Sequence, residues 1–266
     1  MPHVGKIYAL IVGINAYTNI SQLNYSVNDA YAFNNAIAPG GSNNIWNDAE
    51  ITILTDSDAT RANIISSIDR IGSSIEDGDI FVMFYSGHGS ETTSGSEQYI
   101  CPSDAISKNA GTMISTAQLN SLLSEYPENS TKILIFDSCF SGGFAKNVAD
   151  SEDSGIRAKF VPLEDNPVIS KSSSKGFGSN VSSLISISAS DEDETSWESS
   201  AIEHGYFTYS LIAVLGQTGS IKGTGFAGDT ISAEEVFKAA AAGIGTTKQH
   251  PQFKRNGADQ LVKGVL

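Results

Sequence analysis

The chain has 266 residues, 40% of them hydrophobic, and a formal charge of −14. That length and apolar content suffice to bury the core of one large α/β domain or two small ones. The acidic excess excludes nucleic acid as an expected partner, because phosphates require Lys and Arg, and it suits a cationic one. No apolar run approaches the ~18 residues of a membrane helix, and Met1-Pro2-His3 leads into a strand-like run without a signal-peptide pattern. The expected protein is soluble and cytoplasmic. Its two cysteines, Cys101 and Cys139, are too few for a disulfide framework.

Apolar runs of strand length alternate with stretches of helical period. Lys6 to Gly13 reads as a buried strand, and Asp29 to Ile37 as a helix with Ala30, Phe33, Ala36 and Ile37 on one face. A short strand follows at Glu50 to Leu54. A helix then starts near Thr60 and keeps Ile64, Ile65, Ile68 and Ile71 in period. Asp79 to Tyr85 is the third strand, Gln98 to Cys101 part of a small hairpin, Thr116 to Leu123 a helix, and Lys132 to Phe136 the fourth strand. Leu184 to Ser188 is the fifth, before helices over Gly205 to Leu215 and Ala233 to Ala242. Strands separated by helices imply right-handed crossovers and a mainly parallel sheet.

The stretch from Gly142 to Ser183 lacks this order. It is rich in Ser, Gly, Asp and Lys, and it carries Lys146, Arg157, Lys159, Lys171 and Lys175. An aperiodic connection of that length inside a compact domain is a functional or disordered segment. If the protein cuts itself after a basic residue, this is where the bond is expected.

Two strands end in chemistry. Phe81 to Ser86 runs into Gly87, His88 and Gly89, and Ile133 to Asp137 runs into Ser138 and Cys139. In an open α/β sheet the C-terminal strand edge is where catalytic groups gather. A thiol with an unperturbed pKa near 8.5 is only a few per cent ionised at neutral pH, so Cys139 needs a base, and His88 is the candidate. The loop sequence Phe140-Ser141-Gly142-Gly143 after Cys139 favours a nucleophile at the mouth of a site over a buried small hydrophobe. Asp137 lies two positions before Cys139, so its carboxylate leaves the same strand face. His3, His204 and His250 end no strand beside Cys139 and are expected to be structural, as is Cys101 in its hairpin.

These residues resemble the caspase and metacaspase family of cysteine peptidases. The resemblance runs from Tyr8 to the last helix, through Tyr85-Ser86-Gly87-His88-Gly89-Ser90, Asp137-Ser138-Cys139-Phe140-Ser141-Gly142, Asn28-Asp29-Ala30, and Ser188-Ala189-Ser190 followed by Ser196-Trp197-Glu198. It implies a caspase-like three-layer αβα sandwich around a mainly parallel six-stranded sheet. It also implies a single peptidase domain over residues 1–266, with a large-subunit-like part (1–145), a linker loop (146–182) and a small-subunit-like part (183–266). The resemblance gives the oxyanion hole to the amides of Gly89 and Cys139. Asp29 matches the Asn-Asp that helps line the S1 pocket in metacaspases, and Trp197 would wall the neighbouring subsite. Glu198 stands where caspases carry an arginine that grips aspartate. This reversal of charge, with Asp29 and Asp137, implies protein or peptide substrates with Arg or Lys at P1. Metacaspase calcium sites use several aspartates; Asp104 keeps one position, but Ser115, Thr116 and Lys146 occupy the others, so no metal or other cofactor is expected. Two other readings are a catalytically silent caspase-fold scaffold and a flavodoxin-like binding module. Retention of His88 and Cys139 counts against the first. The absence of a glycine-rich turn after the first strand, in Gly13-Ile14-Asn15-Ala16-Tyr17, counts against the second.

Overall fold

The structure is a computed structural model that describes residues 5–38, 49–92, 97–139, 155–161, 163, 181–191, 194–217, 232–244 and 249–256. In chain order the elements are β1 Ile7–Gly13, α1 Ser26–Ile37, β2 Glu50–Thr55, α2 Arg61–Gly72, β3 Ile80–Ser86, β4 Gly89–Glu91, β5 Gln98–Ile100, β6 Ile114–Ser115, α3 Thr116–Ser124 and β7 Thr131–Asp137. They continue with β8 Ile156–Ala158, β9 Leu184–Ser188, β10 Trp197–Ser199, β11 His204–Gly205, α4 Tyr206–Gln217, α5 Ala233–Ile244 and β12 Gln252–Asn256.

Six strands form the central sheet in the order β12-β9-β7-β3-β1-β2. All neighbours are parallel except β12, which runs antiparallel to β9. Alternation along the central strands builds a core on each face. Leu10 and Val12 of β1, Met83 and Tyr85 of β3, and Leu134 and Phe136 of β7 join Ile64 and Ile68 of α2 and Leu119 and Leu123 of α3. Ala9, Ile11, Val82, Phe84, Ile133 and Ile135 face the other way, toward Phe33 of α1, Phe207 and Leu211 of α4, and Val236 and Ala240 of α5. The result is the αβα sandwich expected from the sequence.

Local chemistry starts these helices in different ways. Thr60 accepts from the Asn63 amide to cap α2, and Ser115 accepts from Gln118 to cap α3, contributions of about 1 kcal/mol each. Helix α1 begins at Ser26 rather than Asp29, and Tyr25 before it supplies no side-chain cap. The carboxylate of the distant Glu198 takes the amides of Asn24 and Tyr25 instead, at 2.7 and 3.1 Å. Strand β12 escapes a reading by apolar runs because Gln252-Phe253-Lys254-Arg255-Asn256 is a charged, largely exposed edge, the composition that protects a sheet margin from further pairing. Two small three-stranded sheets, β4-β5-β6 and β8-β10-β11, stand beyond the main one. The second corrects the linker expectation: residues 156–158, inside the expected 146–182 loop, are a strand paired with β10.

Candidate active site

Strands β3 and β7 are parallel neighbours, with Ser86 opposite Asp137 at their C-terminal ends. His88 and Cys139 therefore emerge two residues past a matched register. Gly87 between strand and histidine is required by space: a Cβ there would meet the hydroxyls of Tyr17 and Tyr85 at 2.6 and 2.7 Å. The Tyr17 hydroxyl accepts from the His88 amide at 2.8 Å, and the Tyr85 hydroxyl donates to the His88 carbonyl at 2.6 Å. The histidine backbone is thus fixed from both sides.

The imidazole orientation defines its tautomer. Nε2 lies 2.9 Å from the Ser21 carbonyl, which can only accept, so Nε2 carries the proton and Nδ1 keeps a lone pair. Nδ1 is buried and has no hydrogen-bond partner among the described residues. Burial pushes the His88 pKa down to about 4; the charge on Lys159 adds to this, and the backbone of Ser21 and Lys159 opposes it. At neutral pH the ring is an uncharged base. Cys139 is fully buried, and its thiol donates to the Glu194 carbonyl at 3.2 Å. Cys101 is a packed thiol against the Met113 sulfur, and its pKa is raised by burial.

What buries the site is the chain itself. Lys159, next after β8, places its carbonyl oxygen 3.0 Å from the Gly89 amide and 3.2 Å from the Cys139 amide. Its own amide donates to the Ser196 carbonyl at 3.1 Å. Its ammonium is wholly buried, 2.9 Å from Asp29 Oδ2, 3.1 Å from Asp137 Oδ1 and 2.8 Å from Ser86 Oγ. Both carboxylates are fixed at the N-terminus of α4, where helix amides and the macrodipole favour negative charge. Asp29 accepts from His204 Nδ1 and the Gly205 amide, and Asp137 from the Thr208 amide and hydroxyl and from Ser196 Oγ. Burial alone would lower the Lys159 pKa, but Asp137, Asp29 and Glu198 outweigh it and the net shift is upward. Burial alone would raise Asp29; Lys159, His204 and Ser86 outweigh it and hold that carboxyl below its usual range. Gly205 leaves room for the cation, since a Cβ would sit 2.3 Å from Asp137 Oδ2 and 2.6 Å from Lys159 Nζ.

The structure thus brings His88, Cys139, Gly89, Asp29, Asp137 and Lys159 together. Lys159 is one of the basic residues expected at an accessible cut, and it is instead seated deep in the cleft. Arg157 precedes it on β8, its guanidinium donating to the Gln22 carbonyl, while Lys146, Lys171 and Lys175 lie outside the described residues. Trp197 pairs with Ala158, the residue before Lys159. Glu198 is fully buried; both its oxygens bind the amides that precede α1, and burial raises its pKa against the pull of Lys159. It therefore reaches the Lys159 cation through space and anchors the helix that carries Asp29. His204, expected to be structural, is an Asp29 partner; Ser86 and Ser196 join the site from within the quoted motifs, and Ser21 and Thr208 without a sequence signal beyond their type.

Of the four residues at the expected calcium positions, Lys146 lies outside the described residues and the other three have partners within the fold. Asp104 accepts from the Arg61 amide, Ser115 caps α3, and Thr116 donates to the Gln98 carbonyl. Among the described residues no group of three His, Cys, Asp or Glu is placed to hold a metal, and no helix is long and apolar enough to cross a membrane.

The fold and sequence have relatives. Protein GSU0716 from Geobacter sulfurreducens, a crystal structure, superposes with a TM-score of 0.71 over 97% of both chains at 22% identity, a likeness of fold. Among curated proteins, Metacaspase-8 of Arabidopsis thaliana is 29% identical over 53% of this chain and 39% of its own length. Metacaspase-1 of Saccharomyces cerevisiae is 28% identical over 52% of this chain and 34% of its own, and Metacaspase-9 of A. thaliana 27% identical over 71% and 61%. The chain therefore spans well under half the length of the first of these relatives. The family profile described as Caspase domain matches residues 6–262, and on that match, with His88 and Cys139 at adjacent strand ends, the chain belongs to the caspase family of cysteine peptidases, family C14.

Proposed function

We propose that this protein is an endopeptidase that cuts after Lys or Arg with a Cys139–His88 dyad, and that Lys159–Phe160 is a bond it cuts in itself. One observation carries the reading: a single residue, Lys159, holds its carbonyl on two amides beside the thiol while its ammonium lies between two buried carboxylates. A lysine placed only to neutralise a core would have no reason to offer its carbonyl to Gly89 and Cys139.

In the proposed reaction His88 Nδ1 takes the thiol proton and Cys139 Sγ adds to the Lys159 carbonyl carbon. The oxygen, now anionic, stays on the Gly89 and Cys139 amides, donors worth roughly 3–4 kcal/mol each in comparable sites. His88 returns the proton to the Phe160 nitrogen as the C–N bond breaks, leaving a thioester on Cys139. Water, deprotonated by the same Nδ1, hydrolyses the thioester and restores the thiol. Once Lys159 leaves, Asp29 and Asp137 are two buried carboxylates without a cation, and such a pocket selects Lys or Arg and rejects Asp. Calcium has no role in these steps, and activity is proposed to be independent of it.

The test is a P1 series of otherwise identical peptides. Hydrolysis after Lys and Arg, absent after Asp, is the expected result, and efficient hydrolysis of the Asp peptide would remove the proposal. Activity unchanged by EGTA is expected as well; loss in EGTA with recovery on adding calcium would refute the calcium clause.

A further inference from the structure

We propose that the site also reads the chain beyond the cut: it takes protein substrates with apolar side chains at the second and fourth positions after the scissile Lys or Arg. This inference rests on the endopeptidase reading above and names what that reading leaves open, the product side of the substrate.

Past Lys159 the backbone of Phe160 and Val161 is held against Gly89. Phe160 is bridged to Gly89 in parallel, the Val161 amide donates to the Gly89 carbonyl at 2.9 Å, and the Val161 carbonyl accepts from Ser90 Oγ at 2.7 Å. Ser90 itself is fully buried, so its hydroxyl is committed to this segment rather than to solvent. Side chains of an extended segment alternate between faces, and the burial follows that period. Lys159 is 0% exposed, Val161 4% and Leu163 4%, whereas Phe160 between them is only partly buried. Val161 and Leu163 join the apolar cluster that contains Tyr17, Ile100 and Met113. The segment thus buries a cation and, two and four positions further on, two aliphatic side chains, each at a site of matching chemistry. Gly89 serves both halves: its amide meets the carbonyl at the cut and its carbonyl meets the amide two residues later. A substrate that satisfies the first contact is placed in register for the second.

Full burial of a valine side chain corresponds to about tenfold to hundredfold in binding, and a carboxylate in its place adds a desolvation penalty. The experiment compares the rate of the cut after Lys159 in the full chain with that in Val161→Asp and Leu163→Asp chains. It also compares kcat/KM of self-cut wild-type protein on the peptide Ile-Arg-Ala-Lys-Phe-Val-Pro-Leu and on versions with Asp at the sixth or eighth position. The peptide arm is unaffected if a variant chain does not fold. The expected result is a loss of at least about tenfold for the sixth position and a smaller loss for the eighth. Equal kcat/KM for the parent and both Asp peptides overturns this inference and leaves the proposed function standing. Failure to cut any Lys peptide overturns both.

Discussion

Among the described residues two lysines are buried, and they are held in opposite ways. Lys132, near the start of β7, is 1% exposed, and its ammonium donates to the carbonyls of Pro127 and Ser130 at 2.8 and 2.9 Å. Burial pushes its pKa down, against Asp77 and Glu128. Lys159, beside the far end of the same strand, meets two carboxylates that are themselves hydrogen-bonded, and its pKa is raised. Neutral carbonyls can tether a lysine that forms part of the fold. A pair of prearranged, fully desolvated carboxylates is a receptor for a cation, and removing the cation leaves an uncompensated buried charge at roughly 3–5 kcal/mol.

The largest difference between the two lysines comes from removing the chemistry. Cys139→Ala should abolish self-cleavage, and His88→Ala should slow it by about 10²–10⁴-fold, with both proteins folded by circular dichroism; cutting at the wild-type rate in either breaks the comparison. Next come the charges. Lys159→Glu should slow the cut at that bond by about a thousandfold while Lys159→Arg retains it, and Asp29→Ala or Asp137→Ala should cost Lys peptides about 2–5 kcal/mol in kcat/KM. Lys132→Met should leave the cut rate intact and change only the melting temperature. Equal effects at the two lysines would show that both are merely structural.

A smaller effect concerns pH. His88 is held neutral, with a pKa of about 4 against an ordinary 6.5. Self-cleavage should therefore keep its base down to about pH 4 in an acid limb measured from initial rates, and a limb centred on 6.5 would contradict the buried ring. Between those values the unfolded chain binds more protons than the folded one, so stability rises with pH and is lost as pH falls toward about 4. In a Cys139→Ala background, which stays uncut, His88→Gln should remove about 3 kcal/mol of this dependence in chemical denaturation series.

The sequence makes some of this site plain and hides the rest for physical reasons. His88 and Cys139 are legible because each follows a continuous apolar run that can only be a central strand, and small residues after the run mark its open end. Asp137 follows from the two-residue period of β7. The central strands and both faces of the sheet follow from the same alternation. The anchoring role of Glu198 is hidden because its partners, the amides of Asn24 and Tyr25, lie 174 and 173 positions away, and no local pattern encodes such a cap. His204 looks idle for the same reason: Asp29, its partner, is 175 residues distant. Lys159 is one basic residue among five in an aperiodic stretch, and the short run Ile156-Arg157-Ala158 gains strand structure only by pairing with β10.

The most direct measurement is the terminus created by self-cleavage. Wild-type and Cys139→Ala proteins are incubated separately, and intact masses and new N-termini are read by mass spectrometry. A fragment beginning at Phe160 in the wild type and in Lys159→Arg, absent from Cys139→Ala and Lys159→Glu, is the predicted result. The same terminus in Cys139→Ala, or wild-type cuts confined to other bonds, would contradict the assignment of Lys159 to the active site as a substrate.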